Sequence, residues 1–101
     1  MKINELHKLM LIVGITVTKH ARQRMVERNI KIADIRNAIL TGEIIEDYPN
    51  RKPYQACLIL GNDTVGNPLH VIVASDEKHL KLVTSYYPDQ KHFEDDNQTR
   101  K

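Results

Sequence analysis

The chain holds a single cysteine, Cys57, so no internal disulfide can form. Cys57 sits among apolar strand residues and reads as a small buried hydrophobe. No cysteine pair and no Cys/His cluster spells a zinc site. The five histidines, His7, His20, His70, His79 and His92, are scattered. Apolar runs are short. Leu9–Val13 falls far below the length of a membrane span, and no signal-cleavage pattern follows it. None of the four glycines opens a phosphate-cradling loop or flanks a nucleophile elbow. The adjacent acids Glu46 and Asp47 would point to opposite faces of a strand and make a poor carboxylate dyad. The expectation is a soluble protein of a reducing, bacterial-type cytoplasm, with no metal, no cofactor and no membrane partner.

At 101 residues the chain is read as one domain over 1–90, followed by a polar tail over 91–101. A domain this small buries only about two-thirds of the surface its unfolded chain exposes. A protein partner or a homodimer would therefore add useful stability. Hydrophobic residues make up 41% and charged residues 28%, which argues for a globular body over disorder. The net charge of +2 is a weak pointer to nucleic acid.

Ile3, Leu6, Leu9, Met10 and Val13 recur at helical spacing, and Gly14 follows as a stop. Ile15–Thr18 is extended, with Thr18 at an N-cap position. A second helix spans Lys19–Arg28, and Asn29 suits a left-handed terminus. Ile32, Ile35, Ala38 and Ile39 predict a third helix closed by Thr41-Gly42. After Gly42 the period falls to two. Strands are expected at Glu43–Tyr48, Tyr54–Leu60, Leu69–Ala74 and Leu80–Tyr87. The fold class is α+β, with N-terminal helices packed on a four-stranded antiparallel meander.

Two places carry candidate chemistry. On the second helix, His20, Arg24, Glu27 and Arg28 share one side. An imidazole beside two permanently charged guanidiniums suits a phosphate-bearing ligand, and equally a solvated helix face. In the strand Leu-His-Val-Ile-Val-Ala, His70 points opposite to Leu69, Val71 and Val73. Such a histidine is either hydrogen-bonded within the core or facing an opening. Tyr54 or Tyr86 can lie beside it on one sheet face. If that face meets the His20 helix, imidazoles, phenols and guanidiniums converge. Those groups suit metal-free RNA cleavage, with His20, His70 and Tyr86 catalytic and Arg24, Arg28 and Tyr54 binding substrate. The alternative is a non-catalytic protein-interaction module with structural histidines. A metal site from His20, His70 and an acid ranks last, because no ligand spacing supports it.

The runs Thr18–Ile30, Asp34-Ile35, Ala38–Ile45, Pro53-Tyr54, Leu58–Gly61, Pro68–Ala74 and Thr84–Asp89 resemble a bacterial domain-of-unknown-function family, number 4258. The match covers about residues 16–90 with all segments in order. That family is similar in layout to RelE- and BrnT-like toxin folds. The resemblance implies a ribonuclease toxin that acts on RNA, is held by a cognate antitoxin protein, and uses His20, Arg24, Arg28, Tyr54, His70 and Tyr86. This chain is less basic than a ribosome-dependent toxin of that type.

Overall fold

The computed structural model describes residues 1–76 and 78–88. The elements run α1 (Ile3–Ile12), β1 (Thr16–Val17), α2 (Lys19–Glu27), α3 (Ile32–Thr41), β2 (Glu43–Tyr48), β3 (Gln55–Asn62), β4 (Pro68–Ser75) and β5 (Leu80–Tyr86). The polar tail expected over 91–101 lies outside the described residues.

Local signals set the helix ends. Thr18 Oγ1 accepts from the Ala21 amide at 3.1 Å, the N-cap bond its position predicts. Asn29 takes a left-handed φ of 55° and stops α2. At the start of α3, Asp34 accepts from the Lys31 amide at 2.9 Å, tying the first turn.

The sheet order is β1-β5-β4-β3-β2. The expected meander of β2 to β5 is present, but the sheet has five strands and is mixed. Thr16 and Val17 pair parallel to Lys81 and Leu82 on β5. This fifth strand lies within the extended segment expected at Ile15–Thr18, and its partners come from the far end of the chain.

Antiparallel partners share a face, so the register sorts the side chains. Cys57, Val73 and Leu82 form one row, and Ile59, Val71 and Ser85 the next. The apolar members of these rows join Leu6 and Met10 of α1, Ala21 and Met25 of α2, and Ile35, Ala38 and Ile39 of α3 in one buried cluster. The helices therefore all pack on this face. Val13, the last member of the first helical repeat, is exposed beside Leu11 and Ile12. The opposite face carries the rows Tyr48–Ala56–Ala74–Lys81, Glu46–Leu58–Ile72–Thr84 and Glu43–Leu60–His70–Tyr86.

Candidate functional site

His70 and Tyr86 are direct cross-strand partners. Their ring centroids lie 5.4 Å apart with planes at 67°, the edge-to-face packing that aromatic quadrupoles favour. His70 is 0% exposed, while Tyr86 is half-buried. Any ligand on this face would thus meet the phenol before the imidazole.

Arg28, the C-cap of α2, reaches the same end of β5. Its Nη1 donates to Ser85 O at 2.7 Å and to Thr84 Oγ1 at 3.3 Å. β1 covers β5 only at Lys81 and Leu82, and beyond it the Ser85 carbonyl accepts from Arg28. Both bonds use one of three guanidinium nitrogens, so donors remain for an anion. Thr84 shares the His70 face. Arg28 therefore bends around the strand edge from the helix side toward Tyr86.

The other expected residues lie apart from this group. His20 is exposed in the first turn of α2, eight residues before Arg28 and about 12 Å along the axis. It belongs to the helix layer, and His70 points to the other sheet face. The sheet separates the two imidazoles because α2 packs on β5 from the side that Leu69, Val71 and Val73 share. Arg24 Nη1 pairs with Glu27 Oε2 at 2.9 Å, with side chains 42% and 47% exposed, a surface pair that contributes little. Tyr54 lies at the opposite end of the sheet. His70 faces Leu60, six positions from Tyr54, or about 20 Å along the strand. There the Lys81 ammonium sits 5.0 Å over the Tyr54 ring.

Two groups escaped the sequence reading. Tyr48 and Glu46 are hydrogen-bonded to each other on the His70 face, a consequence of two-residue spacing along one strand. Asp34 and Asp63 join the start of α3 to the β3–β4 turn. Asp34 accepts from the Thr64 amide and hydroxyl at 3.0 and 2.9 Å. Asp63 accepts from the Val65 and Asn67 amides and from the Tyr87 hydroxyl, the last at 2.9 Å. An Asx-type turn at Asp63 is the signal that would have marked it.

The Thr64 amide bond leads in holding the Asp34 carboxyl below its ordinary 3.8, against the opposing effect of burial. For Asp63 burial pushes upward, but the Asn67 amide, the Tyr87 hydroxyl and the other donors outweigh it and hold the carboxyl low. Burial, then the bond to Asp63, pushes the Tyr87 phenol up to about 12. Carboxyls lowered by folding stabilise the protein above their unfolded value, and that stability is lost as pH falls through the folded values. The thermal unfolding midpoint should therefore fall as pH drops through and below the ordinary carboxyl value of 3.8. In Asp63→Asn the midpoint should be lower at neutral pH and its acid dependence flatter. An unchanged acid slope in that variant would remove Asp63 from the account.

Elsewhere, a cavity of about 520 Å³ opens beneath α1, lined by Met1, Leu6, Leu9, Ile12, Val13 and Lys78 among others. It lies on the helix side, away from His70. Among the described residues no three His, Cys, Asp or Glu side chains gather as a metal site. No described helix is long and apolar enough to cross a membrane. Cys57 is buried, and burial pushes its thiol up to about 12, so it is no ready nucleophile.

No curated protein matches the chain, and no solved structure does, so no toxin of known fold stands beside it. A family model described as a domain of unknown function, DUF4258, matches residues 17–87, a span that takes in α2, α3, strands β2 to β5 and the Arg28–Tyr86 corner. The chain belongs to the DUF4258 family.

Proposed function

We propose that this protein is a small metal-independent endoribonuclease, a toxin-like module whose site centres on Tyr86. One observation carries the reading. A half-buried phenol packs on a buried imidazole, and a guanidinium is hydrogen-bonded one residue away. In the reaction the 2′-oxygen of the RNA attacks phosphorus and its proton passes to water. The bond to the 5′-oxygen breaks, and Tyr86 gives that oxygen a proton. The products are a 2′,3′-cyclic phosphate and a 5′-hydroxyl. Arg28 stabilises the charge that builds on the phosphoryl oxygens. His70 positions Tyr86 and does not itself touch RNA. His20 and Arg24 offer an outer phosphate-binding face along α2.

The test is incubation of RNA with the pure protein in EDTA. Cleavage to cyclic-phosphate ends is expected, and Arg28→Ala should lower the rate by about 10²-fold. Arg28→Ala at the wild-type rate would remove Arg28 from the site.

A second reading keeps the domain as a non-catalytic interaction module. It draws on Leu11, Ile12 and Val13, exposed at 76%, 79% and 55%. A contiguous apolar patch of this kind marks a partner surface. A cognate antitoxin on that patch is compatible with both readings, and only the RNA assay separates them.

A further inference from the structure

The sheet face that bears Tyr86 has a second group of aromatic and basic side chains at its other end. The row Tyr48–Ala56–Ala74–Lys81 crosses four strands on that face. Tyr54 precedes β3, two residues before Ala56, so the pleat turns it the same way. β3 and β5 are two strand spacings apart, about 10 Å. Tyr54 and Lys81 nonetheless meet, with the ammonium 5.0 Å from the ring centroid. Their long side chains meet across β4 next to the row where both central residues are alanine. Arg51 is fixed beside them, its Nη1 donating to Tyr54 O at 3.1 Å. Lys52 adds a further exposed cation in the same loop.

Glu43 and Glu46 stand on the β2 side. Lys81 stands on β5, and Arg28 holds the β5 edge. Lys81 and Arg28 thus put basic groups on the β5 side of the sheet. The Tyr86 row and the Lys81 row are four β4 residues apart, about 13 Å.

We propose that Tyr54, Lys81 and Arg51 form a base-stacking subsite for single-stranded RNA, displaced along the sheet from Tyr86. This inference rests on the ribonuclease reading and names its substrate class. A base stacks on the Tyr54 face that Lys81 does not occupy, while Lys81 and Arg51 neutralise the flanking phosphates. An aromatic platform beside a basic path is how proteins hold single strands without reading sequence. A duplex offers no free base face to such a platform and is bound less well.

The experiment uses full-length protein and 2′-O-methyl RNA, which lacks the attacking hydroxyl, with binding read by fluorescence anisotropy. For a single strand of about eight nucleotides, Tyr54→Ala should weaken affinity about tenfold or more. Tyr54→Phe should restore it, because stacking needs the ring and not the hydroxyl. Lys81→Gln should weaken binding and flatten its salt dependence. In cleavage of the unmodified oligomer the Tyr54→Ala loss should fall on KM more than on kcat. It should also be larger for the long oligomer than for a dinucleotide. Wild-type cleavage with undiminished affinity in both Tyr54→Ala and Lys81→Gln overturns the subsite and leaves the ribonuclease reading standing. Equal affinity for duplex and single strand also overturns it. A wild-type protein that neither binds nor cleaves RNA defeats the underlying reading, and the subsite with it. A dimer seen by light scattering and lost in Tyr54→Ala would assign this face to a second copy of the chain instead.

Discussion

Replacing Gly61 by alanine should leave little folded protein. A Cβ built at Gly61 falls 1.9 Å from Ala38 O and 2.6 Å from the Ala38 Cα. These are backbone atoms of α3, and they cannot rotate away as a side chain end can. Gly42 faces the same carbonyl, with a Cβ position 2.5 Å from Ala38 O. Between them the two glycines let α3 lie directly on β3, and that contact buries Ile35, Ala38 and Ile39 completely. Adding one methyl group forces α3 off the sheet and opens the core along its length. Overpacking of this severity should exceed the usual cost of about 1–3 kcal/mol. In a domain this small that is a large part of total stability. Soluble yield and thermal unfolding followed by circular dichroism are the readouts. A Gly61→Ala protein within about 1 kcal/mol of wild type would mean that α3 rides farther from β3 than this packing requires.

The helices were legible because each carries a strong local device. Thr18 caps α2, Asn29 ends it, and Ile35, Ala38 and Ile39 repeat on one face of α3. Strands β2 to β5 were legible from alternation between turn-rich segments. β1 was legible only as the extended segment Ile15–Thr18, because its joining the sheet depends on Lys81 and Leu82 and not on its own residues. The alternation along β4 also gave the correct two groups, Leu69/Val71/Val73 against His70/Ile72/Ala74. What it did not give was which group the helices would cover. The first group is the more apolar, so burial on helices favours it, and His70 is left on the side away from His20. The choice between Tyr54 and Tyr86 as the neighbour of His70 depended on register. Register is set by the turns at Asp63–Asn67 and after Ser75 and by the bulge between Ile72 and Val73. No local pattern in either tyrosine's strand encodes that choice. Arg28 was singled out for its place on the α2 face, but its bond to Ser85 O depends on β1 being too short to cover the end of β5.

Removing one oxygen atom from Tyr86 should cost more activity than any other change at this site. Tyr86→Phe keeps the ring, so the edge-to-face contact with His70 and the packing on β5 survive. What is lost is the proton for the leaving 5′-oxygen. General acid catalysis of this kind is worth about 10²–10⁴-fold, and the cleavage rate should fall by that factor at matched folded fraction. His70→Ala should act differently, lowering both the rate and the stability, because it removes a wholly buried ring against which the phenol is held. The decisive measurement is the single-turnover rate of RNA cleavage by Tyr86→Phe against wild type, in EDTA and at matched folded fraction. A drop of about 10² or more, with cyclic-phosphate ends from the wild type, is the predicted result. Equal rates in the two proteins, or no cleavage by either, would contradict the assignment of this sheet face as a ribonuclease site.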